Sequence, residues 1–389
     1  VTGGVSAVRA TLSGLCATLV GIGLARFAYT PLIPALIAAH WFAPAHVVYL
    51  GAANLAGYLA GALLGRPMTA RVRASIVLRA LMALATAGFF ACAVPLSFSW
   101  FFVWRFASGV AGGALMALAA PTVLPHVAPA RRGVAGGVIF TGVGLGIAAS
   151  GTLVPVLLRS GLVATWCGLG ALALVLTVVA WGGWPDDATL RTAPATPRVR
   201  LARSSLALGA LYVEYGLNAT GLVPHMVFLV DFIARGLGQG LDVGARYWVL
   251  YGLGAMVGPA LTGHLADRIG FGPAVRLAFL VQAAAVGWLA VTASPGWLGV
   301  SSVIIGAFTP GIVPLVLGRA NELVPGDVQS QRAAWSVATT AFAVGQAGAA
   351  YGFSFFFAFG GGYDVLFGLG GAALALAIDL LVAAIVHRR

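Results

Sequence analysis

YWVLYGLGAMVGPALTGHLADRIG, Tyr247 to Gly270, is an apolar run that closes on a short charged loop, and it recurs. YLGAANLAGYLAGALLGRPMTARV, Tyr49 to Val72, aligns with it without a gap, placing Tyr49 on Tyr247 and Gly65 on Gly263. Two further pairs fall in the same order. GLARFAYTPLIPAL matches GLNATGLVPHMVFL, with Gly23 on Gly216 and Pro31 on Pro224, and HVAPARRG matches ELVPGDVQ, with Pro129 on Pro325. The register drifts by only a few residues, as expected for a duplicated unit whose loops have gained or lost residues. Two parallel halves enclosing a central site are a transporter architecture.

The repeated unit is a membrane unit. The chain has 389 residues, 60% of them hydrophobic and 8% charged, with a mean hydropathy of +0.98; soluble domains carry about 45–50% apolar and about 25% charged residues. Every one of the 22 basic residues is arginine, and the formal charge is +12. A nucleic-acid binder would gather such charge on one face or segment. Here the arginines lie in short loops between apolar runs, so no nucleic-acid partner is expected and the lipid bilayer is. Cys16, Cys92 and Cys167 stand alone in apolar runs, which excludes a disulfide framework or a metal site built on them. The first apolar run is too long for a cleavable signal and lacks a small-residue cleavage site. The start at Val1 is consistent with a lost initiator Met.

A membrane-spanning helix needs roughly 20 mostly apolar residues. Twelve such runs are present, at about 10–38, 46–65, 76–95, 98–125, 134–158, 162–182, 204–233, 245–264, 274–293, 297–323, 333–357 and 364–386. Neither their length nor their pattern suits barrel strands, so the fold class is an all-α integral membrane protein. Arginines crowd the even-numbered loops (Arg66, Arg71, Arg73; Arg131, Arg132; Arg191, Arg198, Arg200, Arg203; Arg268; Arg332) and the tail, Arg388 and Arg389. The odd loops have none within them, although Arg159, Arg235 and Arg246 lie near their edges. Positive charge stays inside, which places both termini in the cytoplasm and the protein in a bacterial inner membrane. The polar, proline-containing stretch from Pro185 to Ser205 cannot span. It divides the chain into a six-helix half at 1–183, a cytoplasmic linker at 184–203 and a second six-helix half at 204–389.

Three motifs resemble a known family. GHLADRIG, Gly263 to Gly270, resembles the G-x-L-x-D-R-x-G loop of the major facilitator superfamily, and WRFASGVAGG in the fourth span is similar to that family's R-x-x-x-G-x-x-G helix. Arg-Phe-x-Tyr-Thr-Pro in the first span resembles the uncharacterised bacterial YbfB/YjiJ-type branch. The resemblance implies twelve transmembrane helices in two six-helix halves, the major facilitator fold. It also implies a gating role for Asp267 and Arg268 and a cavity-facing role for Arg105. In the first half Thr69 stands where Asp267 stands in the second, so the pattern of a gate charge is not repeated there. GIGLAR half-matches a dinucleotide fingerprint, but without the third glycine or a strand context it reads as helix packing.

Ionisable groups inside spans are costly and face a cavity or a partner. Arg26, Arg105 and Glu214 are the ones near mid-depth. Asp231, Arg319, Glu322 and Asp379 lie closer to span ends, where reaching the interface is cheaper. One Glu neutralises one Arg and leaves the other for an anion, which a planar guanidinium grips as a fork. The alternative is a salt-bridge cluster that only joins the halves. Tyr29, at i+3 from Arg26, shares its helix face if the helix is regular. Asn218, at i+4 from Glu214, Tyr251 and Gln346 complete the candidate substrate-binding set. Glu214 and His225 are the candidates for proton coupling, with a packing role for His225 as the alternative. Trp41, Trp100, Trp181 and Trp184 fit interfacial anchors.

These residues lead to a secondary transporter that moves a small anionic solute by alternating access with protons as the coupling ion, acting as a monomer. No cofactor, metal or catalytic residue is expected, and no Walker sequence points to ATP. The competing possibilities are an exporter of drugs or hydrophobic compounds, in which Glu214 meets cations and Arg26 is structural, and a non-transporting membrane receptor.

Overall fold

The computed structural model describes residues 6–128, 131–185, 206–324 and 328–386, and the described residues are helical with short connections. In chain order they form α1 (Ala7–Ala38), α2 (Pro44–Arg71), α3 (Ala74–Cys92), α4 (Phe98–His126), α5 (Arg132–Leu158), α6 (Leu162–Trp181), α7 (Leu206–Gly236), α8 (Leu241–Ile269), α9 (Phe271–Ala290), α10 (Pro295–Leu323), α11 (Val328–Ala358) and α12 (Tyr363–Val386). The first eleven are long and apolar enough to cross a membrane, and α12 has an apolar stretch at Tyr363–Ile378. The expected linker arginines, the Pro129 and Pro325 anchors, and the tail arginines lie outside the described residues, as do the side chains of Arg66, Arg332 and Asp379.

Ordinary capping sets the helix ends. Proline opens α2 and α10, where its missing N–H costs nothing. Ser97 caps α4 by accepting from the Trp100 N–H at 3.1 Å. Gly270 closes α8 with φ 80°, a left-handed conformation that any other residue would adopt at a cost. Leu174, Val175, Val178 and Trp181 on α6 are exposed together. A contiguous apolar exterior of that kind is stable in lipid and unfavourable in water. Trp184 departs from the expected anchor role: it is buried, because the chain just after α6 folds back on α1, with Gly183 against Arg9 and Ser13.

The duplication in the sequence has a packing counterpart. On α2, Gly57 and Gly61 meet the backbone of α4 at Phe106 and Val110; on α8, Gly254 and Gly258 meet the backbone of α10 at Val303 and Ala307. In both pairs glycines four residues apart let two backbones touch, so any side chain there would force the helices apart.

By internal contacts the chain forms two compact units. The first holds α1 to α6 together with Val230–Gly252, and the second holds α7 up to Leu229 and everything from Leu253 onward. The end of α7 and the start of α8 therefore belong to one half by sequence and to the other by packing.

Candidate substrate site

The first helix of each repeat is irregular, at a different place in each. α1 runs as α-helix over Ala7–Thr18, widens to a π-turn at Leu19–Leu24, and resumes only at Tyr29. The Ala25 N–H reaches the Val20 carbonyl and the Phe27 N–H reaches Ile22, both five residues back. Pro31 has no N–H to offer the Phe27 carbonyl, which takes the Thr30 N–H instead. α7 is regular over Leu206–Val223, the stretch that aligns with the break in α1, and carries π-turns further on, at Pro224–Phe228 and Phe232–Gly236. Such turns are frequent at functional sites.

The break in α1 determines what its side chains meet. Arg105 on α4 is buried; its Nη1 donates to the Ala25 carbonyl at 2.7 Å and its guanidinium lies 4.2 Å from the Tyr29 ring centroid. The Tyr29 hydroxyl donates to the Val47 carbonyl at 2.6 Å, and Asn54 Nδ2 donates to the Arg105 carbonyl at 3.1 Å. Beside Arg105 is a narrow recess, with no room for a water molecule as it stands, bordered by Ala25, Gly88, Phe89, Ser108 and Trp166. Two buried N–H groups on that recess, Arg105 Nε and Trp166 Nε1, have no acceptor among the described residues. Arg26 is half-buried, with its guanidinium 4.9 Å from the Phe27 ring and 5.1 Å from the Tyr58 ring. The expected shared face of Arg26 and Tyr29 does not form: Tyr29 lies under Arg105, because the non-helical turn between them breaks the i+3 register. Tyr251 is buried and stacks on Trp248, with centroids 4.8 Å apart and planes at 21°.

The second unit holds the other candidates. Glu214 on α7 is 0% exposed, and neither carboxylate oxygen has a hydrogen-bond partner among the described residues. The cations acting on it within its own unit are Arg319 on α10 and Arg276 on α9. Arg319 also holds Glu322 at 2.8 Å. Asn218 does not turn to Glu214; its Nδ2 donates to Gln282 Oε1 at 3.0 Å, and Gln282 in turn donates to the Ala278 carbonyl. Gln346 Nε2 is 3.4 Å from the Met226 sulfur. His225 is fully buried, with Nε2 2.7 Å from Ser301 Oγ, which itself donates to the Ala285 carbonyl. Since the Ser301 hydroxyl hydrogen is committed to that carbonyl, Nε2 is the protonated ring nitrogen.

Asp231 corrects the sequence expectation of a group that reaches the interface. It is 0% exposed and forms a bidentate pair with Arg235, at 2.5 and 2.7 Å. The i,i+4 spacing lets an arginine nearer the helix end cover it.

The sequence profile of the uncharacterised MFS-type transporter YbfB matches residues 18–382. The chain belongs to this family. It is a multi-pass membrane transporter of the major facilitator superfamily and not an enzyme. No curated protein matches it. Among solved structures, a D-xylose-proton symporter superposes with a TM-score of 0.74 over 97% of this chain and 95% of its own, at 15% identity, so the two share the fold. In this member of the YbfB family the superfamily loop residues Asp267 and Arg268 sit exposed on the last turn of α8, and Thr69, the first-half counterpart of Asp267, is buried.

Sequence reasoning missed Arg276 as a neighbour of Glu214, because it fell at the edge of the expected ninth span. It also missed Ser108 and Trp166 on the recess. The i+3 spacing of Ser108 from Arg105 was the available signal.

Proposed function

We propose that this protein is a proton-coupled secondary transporter of a small anionic solute, working as a monomer by alternating access in a bacterial inner membrane with both termini cytoplasmic. The observation that carries this is the composition of the first half. Arg105 is buried with its Nε unpartnered among the described residues, and the sequence of its half, residues 1–185, contains no Asp or Glu, although the packed unit also takes in Asp231 and Asp242. An anion stabilises a buried guanidinium whose N–H groups are not all taken, and the guanidinium fork suits carboxylate, phosphate or sulfonate. Arg26 grips the anion, Arg105 holds the broken segment of α1 in place through Ala25 and Tyr29, and Asn218, Tyr251 and Gln346 serve the rest of the solute.

Glu214 carries the proton. A carboxylate that is wholly buried and accepts no hydrogen bond is at less cost in its neutral form, and it is the mid-span acid of the second half. Arg319 and Arg276 act on it as counter-charges when it gives up the proton. Their positive field also opposes recognition of a cationic drug at Glu214, which disfavours the exporter alternative. His225, committed to Ser301, is a packing residue. Asp267 and Arg268 act in gating, and the linker 184–203 joins two halves at 1–183 and 204–389. The symporter with which this chain shares its fold is named for a proton and a sugar, so a sugar belongs among the solutes tested.

The test is counterflow into proteoliposomes using radiolabelled monocarboxylates, dicarboxylates, phosphate, sulfonates and a neutral sugar, with and without an inward proton gradient. Uptake confined to one or more anions and driven by the gradient is expected. Uptake of the neutral sugar alone, or accumulation indifferent to the gradient, would overturn the proposal.

A further inference from the structure

The outer edge of the first unit, where α3 meets α6, carries an arginine held in one orientation. The last carbonyls of α6 are taken by side chains of two neighbouring helices: Ser13 Oγ on α1 donates to the Ala180 carbonyl at 3.1 Å, and Arg79 Nε on α3 donates to the Trp181 carbonyl at 2.7 Å. The Arg79 guanidinium also lies 5.8 Å from the Trp181 ring centroid. Arg9, exposed near the start of α1, brings its Nη2 against Gly182, the next residue. Two guanidinium groups therefore converge on the C-terminal end of α6, where positive charge is favoured. Neither pairs with a carboxylate among the described residues. With its Nε engaged, Arg79 keeps both Nη groups without a protein acceptor among those residues.

The surface that continues from Arg79 is apolar. Thr86 Oγ and Thr177 Oγ are 3.1 Å apart, and Phe90 lies against Gly170, so α3 and α6 run antiparallel. Ala83, Ala87 and Phe90 follow Arg79 at i+4, i+8 and i+11 on one face of α3, and Leu174 and Val178 stand seven and three residues before Trp181 on α6. Counted around each helix from the Thr86–Thr177 contact, both sets fall on the same side of the seam, and all five residues are exposed. The short alanines beside the longer Leu174 and Val178 make the seam a shallow groove. From Arg79 to Phe90 it is about 16 Å long, close to half of a hydrocarbon core of about 30 Å, the depth one leaflet's acyl chain covers.

We infer that this groove binds an anionic phospholipid, with the headgroup phosphate in the Arg79 Nη fork, Arg9 as the second positive charge, and one acyl chain along Ala83, Ala87 and Phe90. Arginine takes phosphate as a bidentate fork. Here the fork is already oriented by the Trp181 carbonyl and ring, so little side-chain freedom is lost on binding. Two cations without a carboxylate select a headgroup that brings no amine of its own. A bound lipid ties α3 to α6 along their outer side. The inference goes beyond the proposed function: it depends on the membrane fold and not on the solute, the proton or the direction of transport.

Native mass spectrometry of the full chain, in detergent with equimolar phosphatidylglycerol and phosphatidylcholine of identical chains, reads the retained lipid. The parent should prefer phosphatidylglycerol about twentyfold, from about fivefold for each of two arginines. Arg79→Gln should cut that preference about fivefold, and Arg79→Lys, which keeps the charge and loses the fork, should cut it less. Ala83→Phe changes no charge but fills the groove, and should lower the preference as Arg79→Gln does. Glycerol 3-phosphate in excess, which has the phosphate without the chains, should leave the bound lipid in place. If Arg79 only caps α6, none of these ratios moves. Equal retention of the two lipids by the parent, an unchanged preference in monodisperse Arg79→Gln or Ala83→Phe protein, or displacement by glycerol 3-phosphate overturns the site. The parent comparison needs no variant, and Arg79→Lys takes the place of Arg79→Gln if the latter does not fold.

Discussion

Residues 1–185 contain ten arginines and no carboxylate; residues 186–389 contain twelve arginines and all ten carboxylates of the chain. The two halves share a fold and a repeat, and in each a glycine pair, one position out of register with the other, joins the second helix to the fourth. They have nonetheless taken opposite charge chemistry into the membrane. The first half buries Arg105 and half-buries Arg26, and the second buries Glu214. Positive charge in a stretch without acids of its own is answered by a ligand or by another part of the protein, and the first compact unit takes in Asp231 and Asp242 from Val230–Gly252. A buried carboxylate with cations in its own bundle is answered by a proton or by those cations. Duplication supplied the scaffold twice, and divergence gave the two copies different charge.

The comparison breaks most readily at Glu214. Glu214→Gln removes the titrating group and keeps shape, so solute exchange should stay within about twofold while accumulation against a gradient disappears. Since the carboxylate oxygens make no hydrogen bonds, the thermal midpoint should not fall. Continued gradient-driven accumulation would remove Glu214 from the coupling role and direct attention to His225. The reverse experiment gives the first half an acid. Ser108→Asp places a carboxylate one helical turn from Arg105, on the same recess, and counterflow should fall tenfold to a hundredfold, the scale of a charge-assisted hydrogen bond lost to an internal competitor. An unaffected rate would show that Arg105 exerts no hold on the solute path.

How much of this was visible beforehand depends on what each feature rests on. The twelve spans rest on run length and apolarity, so 98–125 anticipated Phe98–His126 and 134–158 nearly matched α5. Arg26, Arg105 and Glu214 stood out because charge inside an apolar run is costly in any conformation. What spacing alone did not show was which partner each side chain takes. Tyr29 was placed with Arg26 by an i+3 count, and Asn218 with Glu214 by i+4. The π-turn and the open turn before Tyr29 rotate the first, and the amide of Gln282 captures the second. The association of Val230–Gly252 with the first unit depends on tertiary packing, to which hydropathy is blind. Asp231 was legible in principle, since Arg235 stands four residues on.

Arg26→Lys sharpens the comparison at moderate scale. It retains the charge and replaces the planar fork with a point, so affinity for a bidentate anion should weaken about tenfold with little change in expression. Wild-type affinity would reassign Arg26 to its contacts with Phe27 and Tyr58. The smallest effect belongs to Asp267. An acid in the last turn of a helix opposes the helix dipole by roughly 0.3–1 kcal/mol, and Asp267 is exposed there with no ion pair among the described residues. Asp267→Asn should therefore shift the balance of inward and outward states about twofold while leaving the affinity of either state intact. An unchanged accessibility pattern from each side of the membrane would end its gating role.

The lack of carboxylates in the first half also has an electrical side. Two guanidinium groups fixed among apolar helices make that bundle a charged body, and any fraction of the membrane field they traverse during reorientation contributes about 2.3 kcal/mol per charge per 100 mV across the full field. A bound anion cancels part of that charge. In the proposed uptake cycle the empty carrier then returns against an inside-negative membrane potential, whereas the loaded carrier moves closer to neutrality. The potential would thus set the tempo of the return step and leave the loaded step comparatively untouched.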